Sequence, residues 1–169
     1  MLLKPHNLHW LAHAAPETDL CAHGAVTVQI GGRLLATPEA GDWCVSASAL
    51  YLMRTLTARH TPESPVGEHL IPCCGHWMHV QHDSADVSIM GCPSGIDWEV
   101  IHEGANVRLR TSEAEEEILP LEEWRRIVFE FADAVSAFYA ASAPKQFSDD
   151  YDAQGFAVFQ AEWTRRRNA

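Results

Sequence analysis

Leu121, Trp124, Val128, Phe131, Val135 and Phe138 fall on one side of a helix for about five turns before Pro144 interrupts the pattern. An apolar stripe of that length is not stable facing water, so the chain must supply a second layer for it to cover. The residues just before it read as that layer. Runs at 77–81, 86–90, 97–102, 107–111 and 116–119 are strand candidates, with turns at 82–84, 92–95 and 103–106 between them. Turns this short favour sequential antiparallel pairing over parallel crossovers.

The N-terminal part adds further strands. Residues 8–12, 25–30 and 33–36 read as extended; Val26, Val28 and Ile30 alternate with Thr27 and Gln29, and Gly31-Gly32 suits a hairpin. Asp42 is placed to cap a helix over 44–59, whose apolar positions Val45, Ala49, Leu52, Met53 and Leu56 keep helical spacing until Pro62 and Pro65. A last helix over 152–167 turns Phe156, Phe159 and Trp163 inward despite Gly155. The expected fold is α+β: an antiparallel meander of about six to eight strands covered by two to three long helices, as one domain over residues 1–169.

Acidic residues number 23 against 12 basic ones, for a formal charge of −11. That balance argues against nucleic acid, whose phosphates demand a basic footprint, and favours either solubility or a basic protein partner. Met1 to Lys4 lack the apolar region of a signal peptide, and no apolar run approaches the ~20 residues of a membrane span. Cytoplasmic placement away from membranes is expected, with Cys21, Cys44, Cys73, Cys74 and Cys92 as reduced thiols.

The densest chemistry lies at 69–79, where His69, Cys73, Cys74, His76 and His79 fall together, with Cys92 at a distance. Thiolate and imidazole are the donors tetrahedral zinc prefers, so His69, Cys73, Cys74 and His76 are the metal candidates. Against this, vicinal cysteines on an extended chain point to opposite sides, leaving at most one well placed. A cysteine beside His76 or His79 would serve as a thiolate–imidazole dyad, although no cysteine of this segment is marked as lying at a helix N-terminus. Asp97 and Glu99 share one face of a strand and read as an acid/base pair, or as a solvated face forming part of a recognition surface. Two acidic groups are the candidate docking sites for a basic partner: Glu113, Glu115, Glu116 and Glu117, and Asp149, Asp150 and Asp152 before the last helix.

The helix from Trp43 to Arg59, the His-Leu-Ile-Pro-Cys-Cys-Gly-His segment, the Gly-Cys-Pro-Ser-Gly-Ile-Asp-Trp-Glu stretch from Gly91, the Phe-rich helix and the Trp-Arg-rich C-terminus resemble small bacterial immunity proteins. These are the antitoxins of polymorphic and contact-dependent growth-inhibition systems. The likeness spans about 43–167 and leaves out the first 40 residues. It implies a non-enzymatic inhibitor without a cofactor, which binds and occludes a cognate toxin domain, frequently a basic nuclease. The alternative is a metal- or thiol-dependent enzyme built on Cys73, Cys74 and His76.

Overall fold

The computed structural model describes residues 1–75 and 77–169. Its strands, in chain order, are β1 (Leu2–His9), β2 (His23–Ile30), β3 (Arg33–Ala36), β4 (Trp43–Cys44), β5 (Ile71–Pro72), β6 (Trp77–His79), β7 (Ser88–Met90), β8 (Gly95–Ile96), β9 (Glu99–Glu103), β10 (Asn106–Arg110) and β11 (Glu116–Pro120). The helices are α1 (Val45–Arg54), α2 (Leu121–Ala140) and α3 (Asp150–Arg167). The class is α+β and every strand pair is antiparallel, as the alternation and short turns lead one to expect.

The strands divide among four small sheets. β1, β2 and β3 lie side by side with β4 also on β2; β11, β10 and β9 form a second sheet; β5 pairs with β8, and β6 with β7. Short strands interrupted by Pro72, Gly75, Gly91 and Gly95 cannot sustain one continuous ladder. Ile30 faces Arg33 across Gly31-Gly32, with Gly31 at φ +55°, so the double glycine does make the hairpin turn.

Helix α1 is shorter than its apolar spacing predicts and lies deeper. Val45 to Met53 are all buried, so this helix is enclosed on every face, packed against α2, α3, β2 and β5. Asp42 does not cap it. Cys44 occupies that position without a side-chain cap, its carbonyl instead accepting the Ser48 hydroxyl at 2.8 Å, while Asp42 pairs with His9 at 3.0 Å. The stripe of α2 is buried as expected through Trp124, Val128, Phe131 and Val135, and the Trp124 indole N–H donates to Thr55 Oγ1 at 3.0 Å.

Gly155 in α3 has a reason that its helical setting alone does not give. A Cβ there would stand 2.0 Å from the Met78 carbonyl oxygen, so β6 lies directly on the helix backbone. Phe156 and Phe159 continue the contact inward.

Two arginines and two acids tie α1, α3 and the 84–87 turn together. Glu162 is fully buried, accepting from Arg54 Nε and Nη2 at 2.8 Å each, from Arg166 Nε at 2.6 Å and from the Val87 N–H at 2.8 Å. Arg54 also donates to the Val66 and Val87 carbonyls, and Arg166 reaches Asp86 at 2.7 Å. Burial pushes the Glu162 carboxyl up, but these donors outweigh it and hold it below the usual carboxylate value.

Candidate partner-binding surface

Cys73 sits in a bend just past β5, so strand alternation does not govern it, and both Cys73 and Cys74 come within hydrogen-bonding reach of the Cys92 thiol. The expected splaying of the vicinal pair therefore does not hold. Gly75 is buried, its carbonyl accepting the Cys21 thiol at 2.9 Å and the Cys44 thiol at 3.5 Å. Those two buried cysteines anchor the chain just before β6.

Among the described residues no group of three or more His, Cys, Asp or Glu is placed to hold a metal ion. Of the candidate ligands, His76 lies outside the described residues. His69 Nδ1 is buried without a hydrogen-bond partner, its ring against Gly95, where a Cβ would stand 2.7 Å from that of His69. Burial and contact with Cys92 raise the Cys74 thiol, and contact with Cys92 raises Cys73, so neither is a ready thiolate.

Asp97 and Glu99 are separate rather than a working pair. Asp97 Oδ1 accepts the Leu70 N–H at 2.9 Å and His60 Nε2 at 3.0 Å, while Glu99 pairs with Arg110. His60 is buried, and its Nδ1 takes the Val66 N–H at 3.1 Å. That bond assigns the proton to Nε2, which leaves no lone pair for base chemistry. This dyad pins the 60–70 loop to the start of β9.

The two acidic groups differ in how their charge is spent. Glu113 pairs with Arg33 and Glu116 with Arg108 at 2.6 Å; Glu115 accepts the Gly32 N–H at 2.9 Å and Glu117 the Gly31 N–H at 2.7 Å. This group therefore clasps the β2–β3 turn, and three of its charges are compensated within the chain, since Glu117 also pairs with the Met1 amino group. Asp149 instead caps α3, accepting the Asp152 N–H at 2.9 Å, and Asp150 and Asp152 stand in the first turn of that helix.

Beside the second group lies a feature that composition does not show. Trp77 is 60 % exposed, Met90 53 % and Tyr151 54 %. Trp77 and Met90 are register partners across β6 and β7, so they share a face. The His79 ring lies edge-on to Tyr151 at 5.3 Å and to Trp77 at 6.4 Å. Trp77, Met78, His79, Tyr151 and Asp152 line a hollow of about 430 Å³. The signal for it in the sequence was Trp77 and Met90 at the outer positions of two short strands whose inner residues, Met78 and Ile89, are buried and half-buried.

No protein-family model matches the chain, and neither a curated protein nor a solved structure does. No helix among the described residues is long and apolar enough to cross a membrane.

Proposed function

We propose that this chain is a non-enzymatic inhibitor that docks on a basic protein domain, with the β6–β7 hairpin and the start of α3 as its binding face. One observation carries the reading: Trp77, its register partner Met90, and Tyr151 are large, exposed side chains at the β6–β7 hairpin and the start of α3, where Asp152 lines the same hollow and neither Asp150 nor Asp152 is in an ion pair among the described residues. Exposed aromatics and methionine are the residue types that anchor interfaces, because they desolvate much area at little entropic cost. The carboxylates beside them select a basic partner and speed its approach. Taken with the likeness to immunity proteins, the partner is a cognate toxin domain encoded beside this chain, possessing a basic face such as a nuclease needs for its own substrate. Inhibition follows from occlusion of that face.

The test is expression of the toxin domain of the neighbouring gene with and without this chain, followed by association kinetics on the purified pair. Protection of growth and a salt-sensitive complex support the reading; no protection and no complex overturn it. Trp77→Ala should weaken the complex at least about 30-fold, about 2 kcal/mol, while the thermal transition stays in place. Asp150→Lys with Asp152→Lys should slow association at least about 10-fold at low salt and flatten its salt dependence. Charge reversal at Glu113 and Glu116 should change association far less, because Arg33 and Arg108 already offset those carboxylates. Equal effects from both groups would remove the preference for the α3 face.

A further inference from the structure

The base of the docking hairpin is closed by sulfur. Beyond the Trp77–Met90 pair, Gly91 and Cys92 lie against Cys74 and Gly75. The approach is tight: a Cβ on Gly91 would stand 2.1 Å from the Cys74 carbonyl oxygen. The Cys92 N–H donates to Cys74 Sγ at 2.9 Å, and the Cys73 N–H is fixed to the Ser94 carbonyl at 2.9 Å. Cys73 is exposed and Cys74 and Cys92 are half-buried, in contrast to the buried Cys21 and Cys44. The Cys73 and Cys74 thiols therefore each approach that of Cys92 where a small oxidant can reach them.

We propose that Cys92 and Cys74 form a reversible disulfide on exposure to hydrogen peroxide, and that this bond locks the hairpin carrying Trp77 and Met90. The inference rests on reading that hairpin as the docking face. Cys92 is the attacking sulfur, because hydrogen bonds from the Cys74 and Cys73 thiols favour its thiolate. Its sulfur bonds to one peroxide oxygen, the O–O bond breaks, and the departing hydroxide takes up the proton that Cys92 released, giving water and a sulfenic acid. Cys74 sulfur then attacks the sulfenic sulfur, the S–O bond breaks, and the leaving hydroxide takes the Cys74 proton as a second water. Two thiols lose two electrons and one peroxide gains them. A dithiol reductant reverses the step by exchange.

The consequence for binding comes from the hairpin's own weakness. β6 and β7 are three residues each, and a two-stranded ribbon of that length is marginal by itself. A covalent tie just outside the Trp77–Met90 pair removes open conformations from the ensemble, so more of the protein presents the docking face ready-formed.

The experiment treats the purified full chain with hydrogen peroxide, blocks remaining thiols, and reads intact mass and backbone amide exchange. Loss of two hydrogens is expected in the parent and in Cys73→Ser, and is expected to vanish in Cys74→Ser and Cys92→Ser. Amides across 77–90 should exchange at least about 10-fold more slowly after oxidation and recover with dithiothreitol. A mass loss that persists in Cys74→Ser, oxidation to sulfinic acid in place of a link, or unchanged exchange across 77–90 would each overturn the proposal. Neither readout needs a partner, so their failure leaves the docking reading standing. A hairpin that links and orders yet captures no neighbouring toxin domain would sink the docking reading alone.

Discussion

Replacing Glu162 by glutamine should lower the unfolding free energy by about 3–5 kcal/mol, a drop in Tm of about 10 °C. The size follows from what is left behind. Arg54 would stay in place, with its guanidinium held between α1, α3 and the 84–87 turn, and its bidentate partner turned into a neutral amide whose N–H₂ faces donors. Removing both charges is the informative comparison. Arg54→Met with Glu162→Leu should cost less than Glu162→Gln alone, because no buried charge remains unpaired and Arg166 keeps Asp86. Urea denaturation of the two variants decides it; a Glu162→Gln cost below about 1 kcal/mol would show that the network contributes little.

The same carboxylate sets an acid limit. Its pKa is depressed in the folded chain, so its contribution is complete above the unfolded value, near 4.5, and is lost as pH falls from there through the folded pKa. The parent should lose stability steeply below about pH 4.5. Glu162→Gln should show a flatter decline over the same range, visible in denaturation midpoints taken at successive pH values.

Gly155→Ala is the second large effect, and its sign runs against the usual rule. In an exposed helix interior alanine is better than glycine by about 1 kcal/mol. Here the added methyl would meet the Met78 carbonyl at 2.0 Å, a backbone atom that cannot rotate away. Relief requires β6 to lift off α3, at a cost of about 2–3 kcal/mol. Because β6 carries Trp77 and rests beside Tyr151, the same change should weaken partner binding along with stability. A Gly155→Ala variant as stable as the parent, by thermal melting, would mean that the helix and hairpin are not in direct contact.

What could be read from the chain beforehand was whatever depends on periodicity. The alternation of Val26, Val28 and Ile30 located β2, and the stripe from Leu121 located α2, because each pattern records which side of an element meets the core. The depth of α1 escaped that reading: its serines, Ser46 and Ser48, look like a polar face but are buried, Ser48 bonded back onto the helix. The division into four sheets also escaped, since pairing partners such as Ile71 and Ile96 are far apart in the chain and their strands are two residues long. For the proposed binding face, acidity singled out both carboxylate groups alike. Only the arrangement in space separates glutamates that clasp Gly31 and Gly32 from aspartates that stand beside Tyr151.

The enclosure of α1 has a bearing on how the chain is made. Its residues emerge from the ribosome early, while the two helices that shield them, 121–140 and 150–167, come much later. Until then a segment whose every side is buried in the finished fold has little to hide against, and the N-terminal hairpin alone is too small to cover it. Completion of the fold must therefore wait for α3, whose Glu162 receives Arg54 from the end of α1. Until α3 is made, 45–53 is the stretch that would offer exposed apolar surface to a chaperone.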